Sequence, residues 1–154
     1  MVFRKEAAPS TRAEFINWYH DQTECSEDHN YEDLDISSPE LRSWFLEMIK
    51  TFPAMNGPYA SDDIDSDYIT GYSIGKDSIY IDFRWSVVED AYSTVVRLAE
   101  KHQVGFFDVS SDDGDILFPD DGKLKSIGDK AISVISSDYA NVTYYYKKPW
   151  WKFW

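Results

Sequence analysis

Residues 38–53 place the strongest constraint on how this chain can fold. Ser38 is followed by Pro39, a pairing typical of a helix N-cap with proline at the first helical position. Apolar side chains then recur every three or four residues until Pro53, which cannot continue a helix. These side chains are Leu41, Trp44, Phe45, Met48, Ile49 and Phe52. The pattern predicts a helix with a broad apolar face, which has to pack against a second layer of structure.

Two further helices are predicted by capping residues and apolar periodicity. Thr11 and Glu14 have the spacing of a capping box, and the apolar stripe that follows predicts a helix over residues 11–24. A second capping box precedes an apolar face that ends before Gly105, and this predicts a helix over residues 87–103.

Strand patterns fill the second half of the chain. Residues 69–74 and 79–85 flank a four-residue turn and predict a hairpin. Residues 105–110 and 116–118 flank a turn rich in Asp and predict a second hairpin. In the first hairpin the side chains expected on the buried face are Ile79, Ile81, Phe83 and Trp85.

Three weaker patterns complete the fold prediction. Residues 2–5 are compatible with an edge strand, residues 126–136 with a short helix and residues 141–147 with a further strand. The whole chain, residues 1–154, is therefore predicted to be one α+β domain. We expect an antiparallel or mixed sheet of four to six strands, with about three helices packed mainly on one face.

The net charge of -13 is unevenly distributed. Residues 1–68 carry a net charge of -10 and residues 69–121 one of -7, whereas residues 122–154 carry +4. An acidic body repels phosphates, which argues against nucleic acid or an anionic membrane as the main partner. It favours a basic protein as the partner. With 17% aromatic residues, the chain differs from disordered acidic tails and is expected to fold.

Two further expectations concern the cellular compartment of the protein and the packing of its C-terminal segment. A single Cys and the lack of a long apolar run or a signal-peptide pattern favour the cytoplasm. Residues 149–154 form a basic aromatic tail with four aromatic side chains. We expect this tail to pack on the domain or to close a homodimer.

Two acidic stretches are the candidate partner-binding surfaces, and their alternative role is simple solvation. They supply the carboxylates Glu24, Glu27, Asp28, Glu32, Asp33 and Asp35, and then Asp62, Asp63, Asp65 and Asp67. The second stretch resembles the start of a calcium loop, but Tyr68 and Ile74 stand where such a loop needs Gly and Glu. We therefore predict no calcium site there.

The sequence contains residue types that could serve in catalysis or metal binding, but none of them stands in a recognised motif. His20, Cys25 and His29 are zinc-ligand types without a standard ligand spacing, so no metal or other cofactor is predicted. Glu24 with His29, or Asp108, would be the acid–base groups of an enzyme. No nucleophile elbow or phosphate-binding glycine loop accompanies them, so no catalytic residue is assigned and a non-enzyme is predicted. A small hydrolase or metal-dependent enzyme using Glu24 and His29, and an oligomeric scaffold, remain the alternatives.

Four segments carry a family resemblance: residues 18–24, 38–45, 51–58 and 104–110. Together they resemble small bacterial immunity proteins of interbacterial toxin systems, and the resemblance covers residues 9 to about 124. Proteins of this kind have a longer first strand, so the first strand here is expected to leave a sheet edge open. The resemblance implies a cytoplasmic protein that neutralises a toxin, possibly a nuclease, by binding it, and it supplies no catalytic residues.

Overall fold

The computed structural model describes residues 1–110 and 113–127, and the backbone of residues 134–135. The elements, in chain order, are β1 (Val2–Phe3), α1 (Arg12–Thr23), α2 (Pro39–Met48), β2 (Gly71–Ile74), β3 (Ser78–Asp82), α3 (Val88–His102), β4 (Gly105–Phe107), β5 (Ile116–Asp120), β6 (Lys123–Ser126) and β7 (Val134–Ile135). Short 3-10 turns, Leu34–Ile36 and Trp85–Val87, precede α2 and α3.

The strands form one antiparallel sheet in the order β2-β3-β1-β4-β5-β6-β7. Six of them lie within residues 1–127, and the two-residue β7 extends the edge beside β6. The predicted α+β class is confirmed. Both predicted hairpins are present, as the β2–β3 and β4–β5 pairs.

The first strand lies in the interior of the sheet, so the prediction of an edge strand with an open edge is wrong. Val2 pairs with Ile79 of β3 on one side and with Phe106 of β4 on the other. Val2 and Phe3 are both fully buried. Two residues suffice because each pairs on both sides and contributes a side chain to one face of the sheet.

Each face of the sheet has its own hydrophobic core. α2 and α3 cover one face, where Trp44 and Met48 of α2 pack with Val95 and Leu98 of α3. This arrangement agrees with the prediction that the helices pack mainly on one face. α1 covers the opposite face and inserts Phe15 among aromatic rings. The alternation of side chains along each strand supplies both cores.

Aromatic rings join α1 to the sheet. The ring centroid of Phe15 lies 5.0 Å from that of Phe3 and 5.2 Å from that of Phe107, and both pairs are edge-to-face. Such pairs contribute about 0.5–1.5 kcal/mol each beyond the burial of their area. The aromatic residues of the predicted stripe on α1 thus hold this short helix against β1 and β4.

Several predicted boundaries need correction. α2 ends at Met48, and Phe52 lies beyond it in a turn, where its carbonyl oxygen accepts a hydrogen bond from the Tyr72 hydroxyl at 2.7 Å. β3 ends at Asp82, so Phe83 and Trp85 follow the strand.

The C-terminal predictions are tested only in part. Ser126 and Val134–Ile135 belong to strands, so the short helix predicted over residues 126–136 is wrong at these positions. The strand predicted over residues 141–147 and the tail of residues 149–154 lie outside the described residues. No helix in the described part of the chain is both long enough and apolar enough to cross a membrane.

Candidate functional site

The second acidic stretch, residues 62–67, lies in the loop between α2 and β2 and packs against the start of α3. Arg84 Nη2 donates a hydrogen bond to the carbonyl oxygen of Ile64 at 3.4 Å. The Tyr68 hydroxyl donates to Asp90 Oδ2 at 3.0 Å. Two separate links therefore join this loop to residues 84–90, which lead into α3 and form its first turn.

Four carboxylates of this loop are exposed, and one of them has a basic partner. Asp67 Oδ1 lies 3.7 Å from Arg84 Nη1. Within residues 1–110 and 113–127, no Lys, Arg or His forms an ion pair with Asp62, Asp63 or Asp65. The hydrogen bonds inside the loop use backbone and serine atoms. The three aspartates are therefore exposed and form no ion pair within the described part of the chain.

Two large apolar side chains accompany these carboxylates. Ile64 is 67% exposed and Trp85 is 64% exposed, the highest values among the large apolar residues that the structure describes. Arg84, which precedes Trp85 in sequence, bonds to the backbone carbonyl of Ile64, so the two residues lie on segments that are in contact with each other. The expectation that Trp85 lies on the buried face of a strand is wrong, because the turn Trp85–Val87 redirects the chain after β3.

Sequence analysis missed Ile64 as well, although a signal was present. Ile64 is the only apolar residue between Asp62 and Asp67. An isolated apolar side chain among carboxylates has no apolar neighbour at helix or strand spacing, which is a pattern typical of an exposed position.

The first acidic stretch, residues 24–35, is used in part by the fold itself. The carboxylate of Glu27 accepts a hydrogen bond from the Lys76 backbone N–H at 3.1 Å, across the β2–β3 turn. The same carboxylate bonds to His29 Nε2 at 2.5 Å. Tyr31 N donates to His29 Nδ1 at 2.9 Å, so Nε2 carries the ring proton that Glu27 accepts. Glu27 therefore ties this loop to the hairpin and is not free for a partner.

Two more carboxylates of the first stretch stabilise the approach to α2. Asp33 accepts a hydrogen bond from the Asp35 backbone N–H at 2.9 Å and thereby caps the turn Leu34–Ile36. Asp35 Oδ1 lies 3.9 Å from Arg42 Nη1, a pair at the limit of ion-pair distance. These contacts are exposed, so they contribute little to the free energy of unfolding.

The remaining carboxylates of this stretch divide by exposure. Glu32 is half-buried where it packs against Gly57. Glu24 and Asp28 are exposed, and no basic side chain in the described ranges pairs with them. The ten predicted contact residues are therefore not equivalent. Most of the carboxylates in residues 62–67 form no ion pair within the described chain, whereas several of those in the first stretch make contacts that stabilise the fold.

The nominal acid–base and metal residues do not come together as the sequence suggested. His29 pairs with Glu27 and not with Glu24. His20 lies against the ring of Tyr19, and Cys25 is exposed. Across the described residues, no group of three or more His, Cys, Asp or Glu side chains is placed to hold a metal ion.

Among the cavities in the described part of the structure, two differ clearly in size and lining. The larger, about 630 Å³, lies at the N-terminal end of α2, where the guanidinium of Arg4 is engaged by Asp77 at 3.1 Å and by Glu40 at 3.8 Å. Arg4, one of three basic residues that line this cavity with Lys76 and His102, is thus already paired with carboxylates. The smaller, about 210 Å³, is lined mainly by neutral polar side chains, including Tyr19, Gln22, Tyr31, Ser73, Ser78 and Tyr80.

No protein family, curated protein or solved structure matches this chain. Function is therefore inferred from the surface of the chain and from the sequence resemblance given above.

Proposed function

We propose that this protein is a cytoplasmic binding protein of the immunity type, which neutralises a basic toxin by occupying its surface. The observation that carries the proposal is the group Asp62, Asp63 and Asp65, which is exposed and has no basic partner among the described residues. The net charge of -13 gives the whole chain the same sign as this group.

Electrostatics gives such a surface a defined role. Opposite potentials on two proteins raise the association rate and disfavour partners of the wrong sign. The screening length is about 8 Å at physiological ionic strength, so uncompensated carboxylates act mainly on a partner close to the surface. A basic cleft, such as one that binds nucleic acid, matches this potential. A protein that occludes such a cleft needs no catalytic group of its own.

Co-expression tests the proposal directly. The gene adjacent to the one that encodes this chain is expressed alone and together with it in the same host. We expect the adjacent product to arrest growth when alone and the pair to restore growth and co-purify. We also expect the affinity of the purified pair to fall as the salt concentration is raised from about 50 to about 300 mM. The screening length shortens over this range, and this weakens the attraction between opposite charges on the two proteins.

Two outcomes would contradict the proposal. In the first, the adjacent product is harmless when expressed alone. In the second, the pair does not form a complex in solution. Binding that is indifferent to salt would remove the electrostatic argument and leave a complex held by other contacts.

A further inference from the structure

We infer that Ile64 and Trp85 form the apolar centre of the docking surface, and that the partner presents an apolar pocket surrounded by Lys or Arg side chains. The inference rests on the proposed function and adds to it the location of the contact and the chemistry of the partner. We call residues 62–68 and 84–90 together the Ile64 surface. Neither apolar residue was among the contacts predicted from the sequence.

The Ile64 surface is held together by contacts between its two segments. Arg84 bonds to the carbonyl oxygen of Ile64 at 3.4 Å and lies 3.7 Å from Asp67. Tyr68 bonds to Asp90 at 3.0 Å. The apolar side chains are therefore presented on a backbone that is already positioned, which lowers the entropic cost of binding.

The exposure of Ile64 and Trp85 needs an explanation that solvation of carboxylates does not supply. A stretch that serves only solubility gains nothing from an isoleucine that is 67% exposed. Binding surfaces, by contrast, commonly combine an apolar or aromatic centre with a polar rim. Here the rim is acidic, and the centre contains an aliphatic and an aromatic side chain.

The charge of the residues around Ile64 and Trp85 indicates the chemistry of the partner's surface. The Ile64 surface contains six carboxylates and one basic side chain, Arg84. A second copy of this chain would bring six more carboxylates against the first six, which disfavours self-association through this surface. A partner with Lys or Arg around an apolar pocket satisfies both the centre and the rim.

The test uses the purified product of the adjacent gene as the probe and titration calorimetry as the readout. We expect Ile64→Ser to weaken binding roughly tenfold to a hundredfold, as for a residue at the centre of an interface. Trp85→Ser should weaken it to a similar extent. Leu46→Ser is the matched control, because Leu46 is also an exposed apolar side chain, at 41%, and lies on α2 outside the Ile64 surface. It should leave the affinity unchanged.

A second pair of variants separates location from total charge. Asp62→Asn, Asp63→Asn and Asp65→Asn together remove three negative charges from the Ile64 surface. The control removes three from the first stretch by Glu24→Gln, Asp28→Asn and Asp35→Asn. We expect the first triple variant to slow association and to weaken its dependence on salt by more than the second.

The outcomes distinguish this inference from the proposed function. If the probe binds the unmodified chain and neither Ile64→Ser nor Trp85→Ser weakens it, the inference is overturned while the proposed function stands. If the probe does not bind the unmodified chain, both fail. If light scattering finds a dimer of the chain that Ile64→Ser dissociates, the occupant is a second copy and the basic-partner inference is wrong. Circular dichroism of each variant verifies that it is folded.

Discussion

The ring of Phe3 lies directly over Gly105, its partner across the β1–β4 pair. A Cβ added at Gly105 would overlap three carbons of that ring. The same ring packs edge-to-face against Phe118 of β5, with the ring centroids 5.0 Å apart. The lack of a side chain at Gly105 thus makes room for the ring that joins β1 to β5.

We predict that Gly105→Ala lowers the free energy of unfolding by about 1–3 kcal/mol, the usual cost of overpacking a closed core. Ring and strand backbone are both buried, so neither can move aside easily. The measurement is the denaturation midpoint in guanidinium chloride.

Gly71→Ala is the matched control for this prediction. A Cβ at Gly71 would lie 3.5 Å from Asp82 Cβ, which is an ordinary van der Waals contact. Phe3→Leu combined with Gly105→Ala should recover part of the loss, because the smaller side chain leaves room for the methyl group. Equal midpoints for Gly105→Ala and Gly71→Ala would show that the contact with Phe3 places no constraint on this position.

The helices could be predicted from the sequence because their signals are local. The apolar periods of α1 and α3 lie within the helices, and the predicted capping residues Thr11 and Ser86 stand one and two residues before them. The central position of β1 could not be predicted. Its two residues carry no periodicity, and their place depends on pairing with Ile79 and Phe106, which are distant in the sequence.

The sequence predicted that the candidate site is acidic, but it did not predict which of the carboxylates are available to a partner. The acidic stretches are visible in the sequence, but their availability depends on tertiary contacts, such as the hydrogen bond from Lys76 N to Glu27. The exposure of Trp85 is decided by where β3 ends, and strand boundaries are poorly specified by alternation alone.

The free edge of β2 is protected by a side chain that imitates a neighbouring strand. Tyr72 N donates to Asn56 Oδ1 at 3.1 Å, and Asn56 Nδ2 donates to Tyr72 O at 2.9 Å. We predict that Asn56→Ala lowers the free energy of unfolding by about 1–3 kcal/mol, because two hydrogen bonds are lost. We also expect it to promote self-association, since unpaired strand groups are templates for another chain.

Denaturation midpoints and size-exclusion chromatography measure the two effects of Asn56→Ala. Asn30→Ala serves as the control, because the one bond of the Asn30 side chain to the described residues is to the exposed backbone N–H of Glu32, at 3.1 Å. A variant that stays monomeric and as stable as this control would show that the Asn56 amide does not protect the edge.

Glu47 links α2 to the end of α3. Its carboxylate accepts hydrogen bonds from Lys101 Nζ at 2.8 Å and from His102 Nε2 at 2.7 Å. These two hydrogen bonds lower the pKa of Glu47 from 4.5 to about 2, and the bond from Lys101 has the larger effect. Because the folded pKa is the lower one, the contribution to stability is complete above pH 4.5 and is lost as the pH falls towards 2.

We therefore predict that Glu47→Gln lowers the melting temperature at pH 7 and flattens its decline between pH 4.5 and 2. Thermal unfolding followed by circular dichroism at several pH values measures both effects. Glu24→Gln, at an exposed position after α1, should leave the melting temperature unchanged. The assignment to Glu47 fails if Glu47→Gln and the unmodified protein lose stability in parallel over this range.

Glu100 makes the opposite contribution to the pH dependence. It is 7% exposed on α3, and its Oε1 has no hydrogen-bond partner among the described residues. Burial raises the pKa of Glu100, and the Leu124 backbone and Lys123 offset this only in part. Because the pKa of Glu100 is higher in the folded protein than in the unfolded chain, the protonated carboxyl stabilises the fold at pH values below its ordinary pKa. This contribution to stability is lost as the pH rises through the raised pKa.

We predict that Glu100→Gln raises the melting temperature at pH 7, and that this gain in melting temperature becomes smaller as the pH falls towards the ordinary carboxyl range. Glu89→Gln, at an exposed position on the same helix, should give no gain at any pH, and a lower melting temperature for Glu100→Gln at pH 7 would mean that the ionised carboxylate is stabilising.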